Sequence, residues 1–389
     1  MQGKAISWVL GAAATIAVNL SVQGQAQGQT ATGPIKIGIV QAQTGALADS
    51  FGIPSSEGAI LAMEQINAKG GIGGRKLEAV LRDDRTSIQP TVIAFQELAQ
   101  DPAVLAIIGP TTSGAGMAVR QIINDNKLPE LSIAYGTALT QSNFKYYYRV
   151  GPSLETGNQS LLNAIQKHRG NGQKLATLAL SEAGGTDGAK DAAMRAADYG
   201  MTVVASENYK YGDTDFTTQL TRIKAAGATA LLSLTQGIAT NAMIRAVKQL
   251  GMENLMIVGP NGLADAQSQA LAGDLINGVV FWDYACLDDA DNKALPVLKS
   301  DYEARFKKPA SNGMINGYDM MRMLGVSLQA LAGENKPLTR EALNEKLTQL
   351  KFAGIGSKYD FTPEWHNGPH LDEIPMCTYQ SGKRLPWKP

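Results

Sequence analysis

Two neighbouring hydroxyl side chains stand in a segment that directly follows an apolar run. The segment GPTTSG, residues 109–114, comes after Val104–Ile108 and contains Thr112 and Ser113. A continuous apolar run of this length predicts a strand buried on both faces, and ligands of open parallel sheets bind beyond the carboxyl ends of the strands. Hydroxyls and backbone N–H groups at a helix N-terminus suit a carboxylate or another acceptor-rich group. The alternative is that Ser113 is an ordinary helix N-cap, and the two roles are compatible.

A second polar segment follows the next predicted strand, residues 131–135. It offers the carbonyl of Ala134, the backbone of Gly136 and the hydroxyl of Thr137. Because the carboxyl ends of parallel strands meet at one edge of the sheet, we expect this segment to lie beside residues 109–114.

The groups that catalysis or metal binding would need are poorly placed. Of the three histidines, His366 and His370 are four residues apart, but Pro369 lies between them, so they do not share a helical face. Ser113 does not stand in a nucleophile elbow, because Thr111 occupies the position where the GxSxG motif requires glycine. We therefore expect no catalytic residue, no metal site and no cofactor, and the chain is predicted not to be an enzyme.

The elements that must position the polar segments alternate between strand and helix. A helix is expected over residues 56–68, where Ala59, Met63 and Ile66 fall on one face, and another begins at Pro90. Strands that alternate with helices predict parallel sheets with right-handed crossovers, so the expected fold class is α/β. The further strand candidates cover residues 35–40, 77–81, 175–180, 202–205, 229–234, 256–259 and 279–282.

The N-terminus and the composition indicate an exported chain with two cores. The chain has 389 residues, no formal net charge and 44% hydrophobic residues, which offers no electrostatic case for nucleic-acid binding. Lys4 precedes a mostly apolar stretch and Ala26 ends a small-residue segment, which is typical of a secretory signal peptide over residues 1–26. Cleavage after Ala31 is a second choice, and a retained membrane anchor is the alternative. No cysteine follows the stretch, so no lipid anchor is expected.

The two cysteines, Cys286 and Cys377, are far apart in the sequence and belong to no CxxC pair. A metal or redox role therefore lacks the spacing that it needs. An oxidising compartment would permit a disulfide, but the sequence does not give the distance between the two Cα atoms, and the pairing is left open.

A series of motifs runs through nearly the whole chain from residue 35 onward. They include IKIGIVQAQTGALADSFG, INAKGGIGGRKLE, GPTTSG, YYYRVGPS and FTPEWHNGP. In this order they resemble the branched-chain amino-acid-binding proteins of ABC importers. The resemblance implies the type I periplasmic-binding fold, with two Rossmann-like lobes, parallel sheets and a hinge of three crossovers. We expect lobe 1 at residues 34–152 and 284–352, and lobe 2 at residues 153–283 and 353–389.

The resemblance also implies roles for individual residues. In the family, the loop that matches residues 132–137 takes the amino group of the ligand. Phe51 matches an aromatic wall of the family's site, although plain core packing is the alternative for it. Together with Tyr135, Trp282 and Tyr284, it would form the apolar walls around a flat ring of the ligand.

The second lobe departs from the family pattern. Asn261 stands where the family's amino-acid binders have a glutamate that neutralises the ligand ammonium, and a neutral amide cannot pair that charge. Thr186 or Asp187 stands where the family has a tyrosine, and Gln236 is near another such position. An ordinary α-amino acid is therefore disfavoured unless another acid supplies the charge, the candidates being Glu182, Asp187 and Asp283.

These expectations combine into a periplasmic, monomeric solute-binding protein that serves an ABC permease in the inner membrane. We expect a small carboxylate-bearing or amide-like solute, with an aromatic acid slightly favoured. One alternative is an amino-acid binder with a substituted ammonium site. Another is a module that senses an amide, urea or an aromatic ligand, and a genomic neighbourhood with permease genes would separate transport from sensing.

Overall fold

The computed structural model describes residues 33–140, 145–264 and 270–389, together with residues 1 and 3. Pro34–Pro389 form one compact unit. The cleavage sites predicted after Ala26 and Ala31, and the apolar stretch before them, lie outside the described residues. In the described part of the chain, no helix combines the length and the apolar character that a bilayer crossing needs.

The first large sheet is parallel throughout. Its strands are β1 (Ile35–Gln41), β2 (Leu77–Asp83), β3 (Val104–Ile108), β4 (Glu130–Ser132) and β5 (Tyr147–Arg149). They lie in the order β2-β1-β3-β4-β5. The helices between them are α1 (Ile53–Ala68), α2 (Ile88–Gln100) and α3 (Ser113–Asp125). Every residue of β3 is buried, as its continuous apolar run predicted.

The second large sheet is mixed. Its first strands are β6 (Gln173–Leu180), β7 (Met201–Tyr209), β8 (Ala230–Leu234), β9 (Met256–Gly259) and β10 (Val280–Trp282). A separate antiparallel pair, β11 (Lys351–Ala353) and β12 (Lys358–Asp360), precedes the last two strands, β13 (Met376–Gln380) and β14 (Lys383–Pro386). The order is β14-β13-β10-β9-β8-β6-β7, and β13 and β14 join antiparallel. The parallel sheets expected from the sequence are confirmed, and the C-terminal hairpin adds two antiparallel strands to the edge of the second sheet.

The remaining helices divide between the two sheets. The second sheet carries α4 (Leu154–Arg169), α5 (Ala183–Arg195), α6 (Thr217–Ala225) and α7 (Ile238–Gln249). The later helices are α8 (Ala294–Phe306), α9 (Asn312–Gly333) and α10 (Arg340–Leu347), and they share one buried cluster with β1. We call the first sheet with α1–α3 and α8–α10 the first lobe, and the second sheet with α4–α7 the second lobe. The residue boundaries expected for the lobes stay a prediction.

Helices α1 and α9 approach so closely that only glycine fits at two contact points. A Cβ on Gly317 would lie 1.8 Å from the carbonyl oxygen of Ser55, and a Cβ on Gly58 would lie 2.0 Å from that of Met314. Both distances are far inside van der Waals contact. The two glycines therefore set the spacing of α9 against the first lobe.

Cys286 and Cys377 form a disulfide, with their Cα atoms 5.5 Å apart. Both residues are buried, and the bond ties the segment after β10 to β13, the first strand of the C-terminal hairpin. The pairing that the sequence left open is thereby resolved. By loop-closure entropy, a disulfide across 91 residues stabilises the folded state by about 4 to 5 kcal/mol.

Candidate functional site

A narrow cavity lies between the two lobes. It is located where the carboxyl ends of strands from both sheets meet, which is where parallel sheets bind ligands. The first lobe contributes residues that follow β1, β3 and β4, and the second lobe contributes residues that follow β6, β7, β8 and β9. The lining residues are Leu47, Phe51, Thr111, Thr112, Ser113, Ile133, Tyr135, Glu182, Tyr211, Gln236, Asn261 and Tyr284.

The structure brings most of the expected site residues together in this cavity. These are Phe51, Thr112, Ser113, Tyr135, Gln236, Asn261 and Tyr284. Phe51 lines the cavity and also packs in the core of the first lobe. Four expected residues do not line the cavity: Ala134, Gly136, Thr137 and Asp187. Thr137 is exposed, and Asp187 lies further along α5, partly exposed.

Ser113 is not the N-cap of α3, which corrects one of the two roles considered for it. Helix α3 begins at Ser113, and the cap is Thr112, whose side chain accepts a hydrogen bond from the backbone N–H of Ala115. The buried hydroxyl of Ser113 instead accepts a hydrogen bond of 3.0 Å from the N–H of Gly136. A hydroxyl that accepts once still has its own proton to donate. Ser113 therefore presents a donor at the cavity wall.

The carbonyl of Ala134 is already occupied. It accepts hydrogen bonds from the hydroxyl of Tyr147, at 2.6 Å, and from Nε of Arg149, at 3.0 Å. The Arg149 side chain also donates to the carbonyl of Gly136 at 2.7 Å. Two donors fill the two lone pairs of a carbonyl oxygen. The segment after β4 therefore reaches the cavity through the ring of Tyr135, not through the Ala134 carbonyl.

Arg149 is a fully buried cation at the end of β5, and the sequence did not indicate its role. In addition to the two carbonyls, it donates to the side chains of Thr140 and Asn367. Burial lowers the pKa of its guanidinium from the ordinary value. Because its hydrogen bonds fix the backbone of residues 134 and 136, Arg149 positions Tyr135 without lining the cavity itself.

Tyr135 joins the two lobes. Its hydroxyl accepts a hydrogen bond of 3.3 Å from the side-chain amide of Gln236 in the second lobe. Its ring also lines a smaller apolar recess behind it, formed by α4, α5 and the ends of β8, β9 and β10. The lobes are thus in contact through a first-lobe ring that lies against an apolar recess of the second lobe. The other residues of that recess are Ser153, Leu154, Gly157, Asn158, Leu161, Gly188, Leu234, Pro260 and Trp282.

Glu182 supplies a carboxylate to the cavity. It is the N-cap of α5, and its Oε1 accepts a hydrogen bond of 3.0 Å from the N–H of Gly185. Burial raises the pKa of this carboxyl from its ordinary value, against the lowering effect of the backbone hydrogen bonds from Gly184 and Gly185. From the sequence, Glu182 was one of three candidates to replace a missing glutamate. As the N-cap of α5, Glu182 lies at the end of the helix that faces the cavity.

The remaining unpredicted lining residues are Leu47, Thr111, Ile133 and Tyr211. Thr111 donates to the side chain of Gln41 at the end of β1, and this contact tethers the start of the GPTTSG segment. Tyr211 is 39% exposed and reaches the cavity from the loop after β7. That loop carries no motif, so the only sequence signal for Tyr211 is that it follows a strand of the second sheet.

A buried polar cluster adjoins the cavity where the chain leaves β10. Asp283 accepts hydrogen bonds from the N–H of Tyr284, at 2.7 Å, and from the side chain of Asn312, at 3.4 Å. Burial raises the pKa of Asp283 to about 7. Among the described residues, Nδ2 of Asn261 has no hydrogen-bond partner, although the residue is only 5% exposed. Asn261 therefore offers an unpaired donor at the cavity wall.

The two closely spaced histidines have aromatic partners. His366 stacks on Tyr148, with ring centroids 4.5 Å apart, and His370 stacks on Trp365. Burial lowers the pKa of His366 from its ordinary value. Within residues 33–140, 145–264 and 270–389, no group of three potential metal ligands is found.

A larger, open depression lies elsewhere on the second lobe. It is lined by residues around the start of β9 and β10, with His168 and Trp387 at its rim. Ligands of parallel sheets bind at the opposite, carboxyl ends of the strands. We therefore assign the functional site to the smaller cavity between the lobes.

Comparison with known proteins gives consistent matches over nearly the whole chain. Residues 34–371 match the family model described as periplasmic binding protein. The leucine-, isoleucine-, valine-, threonine- and alanine-binding protein of Pseudomonas aeruginosa is 24% identical over 366 residues, which cover 91% of this chain and 96% of that protein. The sequence resemblance to branched-chain amino-acid-binding proteins is confirmed.

Solved structures match the fold. The branched-chain amino acid transporter substrate binding protein of Streptococcus pneumoniae, in complex with isoleucine, superposes with a TM-score of 0.78 at 22% identity, covering 92% of this chain and 100% of that one. An ABC transporter solute binding protein of R. palustris, in complex with benzoate, superposes with a TM-score of 0.77 at 20% identity, covering 91% and 95%. The type I periplasmic-binding fold expected from the sequence is confirmed.

Proposed function

Because this chain belongs to the periplasmic binding protein family, we propose that it captures a small solute between its two lobes and delivers it to the permease of an ABC importer. The observation that carries the proposal is the cavity at the carboxyl ends of strands from both sheets, with polar groups supplied by each lobe. A solute that touches both lobes favours their closed arrangement by its differential affinity. Binding needs no covalent step, and we propose no catalytic activity.

The polar wall favours a solute with an acceptor-rich head, such as a carboxylate or an amide. The Ser113 hydroxyl has a proton to donate, and Nδ2 of Asn261 is an unpaired donor. The N-terminus of α3 adds the positive end of a helix dipole at the same wall. A buried donor without a partner is costly, so a solute oxygen that meets it gains affinity.

The rest of the cavity favours an apolar body. The aromatic rings of Phe51, Tyr135, Tyr211 and Tyr284 line it. Isoleucine and benzoate, the ligands named for the two similar structures, both join a carboxylate to an apolar body. We propose a solute of this general kind, either aliphatic or aromatic.

We further propose that the chain acts in the periplasm, as a monomer, after removal of its signal peptide. The supporting observations are the apolar N-terminal stretch in the sequence and the disulfide, which suits an oxidising compartment.

A thermal-shift screen of amino acids, amides and aromatic acids tests the proposed function, because a ligand that binds only the native state raises the melting temperature. For the solute with the largest shift, Ser113→Ala is expected to weaken binding about 10- to 100-fold, since it removes a hydrogen bond to a charged or strongly polar oxygen worth about 1.5 to 3 kcal/mol. Isothermal titration measures the change. Ser300→Ala, on the exposed face of α8, is the matched control and should bind like the wild type. Equal affinities for Ser113→Ala and the control would contradict the assignment of the site.

A further inference from the structure

Among the residues that the structure describes, Tyr135 is the only one that lines both the cavity between the lobes and the apolar recess behind it. The recess lies at the carboxyl ends of β8, β9 and β10, and the cavity lies at the same edge of the second sheet. The ring of Tyr135 is therefore the wall that separates two neighbouring spaces.

Contacts with both lobes hold the Tyr135 ring in this position. Its hydroxyl accepts the hydrogen bond of 3.3 Å from the side-chain amide of Gln236. A Cβ built on Gly184 would lie 3.3 Å from Cε2 of the ring, so the ring lies against the bare backbone of the first turn of α5. Arg149 fixes the backbone on either side of Tyr135 by donating to the two carbonyl oxygens. A solute that displaced the ring would have to break these contacts.

The recess behind the ring offers apolar surface. Its apolar lining residues, besides Tyr135 itself, are Leu154, Leu161, Leu234, Pro260 and Trp282. The polar side chains that line it are already hydrogen-bonded. The amide of Asn158 donates to the carbonyl of Gly188 and to Asp191, and the hydroxyl of Ser153 accepts from the backbone N–H of Thr156. What the recess could add to a bound solute is therefore apolar contact.

We propose that Tyr135 sets the upper limit on the length of the solute's apolar body, because its ring closes the recess. This inference rests on the proposed function and names the residue that restricts the range of solutes. A solute whose head meets Ser113 and whose body ends before the ring is accepted, whereas a longer body collides with the ring. Loss of the ring joins the cavity to the recess and admits solutes that the wild type rejects.

Homologous series of solutes test the inference, because they vary the length of the body and keep the head constant. The series are straight-chain carboxylates from butanoate to decanoate, the corresponding primary amides, straight-chain α-amino acids of the same lengths, and phenyl-terminated carboxylates from benzoate to 6-phenylhexanoate. In isothermal titration with the wild type, affinity should rise about three- to fourfold per methylene up to an optimum length. Beyond the optimum it should fall by about tenfold or more, because the ring does not yield.

Substitution of Tyr135 should move this optimum. Tyr135→Ala removes the ring, and we expect the optimum to shift by about three methylenes towards longer members of the series. Tyr135→Leu removes less volume and should give a smaller shift in the same direction. Tyr135→Phe is the matched control: it keeps the ring and loses only the hydrogen bond to Gln236, so its optimum should stay at the wild-type length. The readout is the ratio of affinities for long and short members, which a general loosening of the lobes does not change.

A second substitution locates the gained space in the recess. Gly188 lines the recess, and a Cβ built on it would lie 2.8 Å from Cδ1 of Leu234 and 3.7 Å from Cδ1 of Leu154. Added to Tyr135→Ala, Gly188→Ala should therefore shorten the optimum by about one methylene. Gly333→Ala, at the end of α9 in the first lobe, is the control and should leave the optimum of Tyr135→Ala unchanged, because no atom lies within 4 Å of its Cβ.

The outcomes separate this inference from the proposed function. If a series binds but Tyr135→Ala and Tyr135→Leu keep the wild-type optimum, the inference is overturned while the proposed function stands. A shift in Tyr135→Phe as large as that in Tyr135→Ala, or a shift that Gly188→Ala does not shorten, would also overturn it. If no member of any series and no solute of the thermal-shift screen binds, the proposed function fails and the inference fails with it.

Discussion

At the scale of single residues, hydrogen-bond saturation decides which polar atoms of the site remain available. The Ala134 carbonyl is filled by Tyr147 and Arg149, whereas the Ser113 hydroxyl accepts once and keeps its proton. The sequence could predict that Ser113 lies at a strand end, because the apolar run before it is visible. It could not predict the occupied carbonyl, because Tyr147 and Arg149 reach it from β5, a strand that the sequence did not predict.

Among residues that do not line the cavity, Arg149 is the one whose substitution should disturb the site most. Arg149→Met keeps an apolar side chain but removes the hydrogen bonds that Arg149 donates to the buried carbonyls of Ala134 and Gly136. We therefore expect the free energy of unfolding to fall by about 2 to 5 kcal/mol. Urea unfolding measures it. Arg222→Met, which removes an exposed ion pair with Glu207, is the control and should cost less than about 1 kcal/mol. Similar losses in the two variants would contradict the role assigned to Arg149.

Glu182 is the one of three candidate acids that lines the cavity. Three acids were candidates to supply the missing charge: Glu182, Asp187 and Asp283. Asp187 lies further along α5 outside the cavity, and Asp283 is buried in a separate polar cluster. Glu182 is the N-cap of α5 and lines the cavity, a placement that depends on how α5 lies against the first lobe.

At the scale of elements, helix packing depends on positions that the sequence pattern did not single out. Gly58 and Gly317 allow the backbones of α1 and α9 to approach each other closely. A glycine inside a helical pattern does not by itself indicate such a contact in the sequence. The apolar run of β3 and the helical face of α1 were predictable because periodicity and continuous burial have direct sequence signatures. Strands β13 and β14 were not, because a short, proline-rich tail shows no alternation.

Two glycines of α9 provide a matched test of that packing. Gly317→Ala should destabilise the protein by about 1 to 3 kcal/mol or more, since its Cβ would lie 1.8 Å from the Ser55 carbonyl oxygen. Gly333→Ala, at the end of the same helix, has no atom within 4 Å of its Cβ and should be neutral or slightly stabilising. Thermal unfolding followed by circular dichroism compares them. Equal melting temperatures for the two variants would show that the close approach does not exist in solution.

At the scale of the whole molecule, the cavity is assembled from loops that are distant in sequence. The alternation of strands and helices predicted an α/β chain, and the resemblance predicted two lobes with a site at the strand ends. The positions of Tyr211 and Glu182 could not be predicted in the same way, because each depends on how one lobe lies against the other. The same dependence makes lobe closure the central physical claim about this protein.

Small-angle X-ray scattering, with and without the solute that gives the largest thermal shift, tests that claim most directly. If the solute holds the lobes together, the radius of gyration of the saturated protein should be smaller than that of the free protein. Ser113→Ala, at the same solute concentration, should show a smaller decrease. Identical scattering curves for free and saturated wild-type protein would contradict closure of the two lobes on a solute.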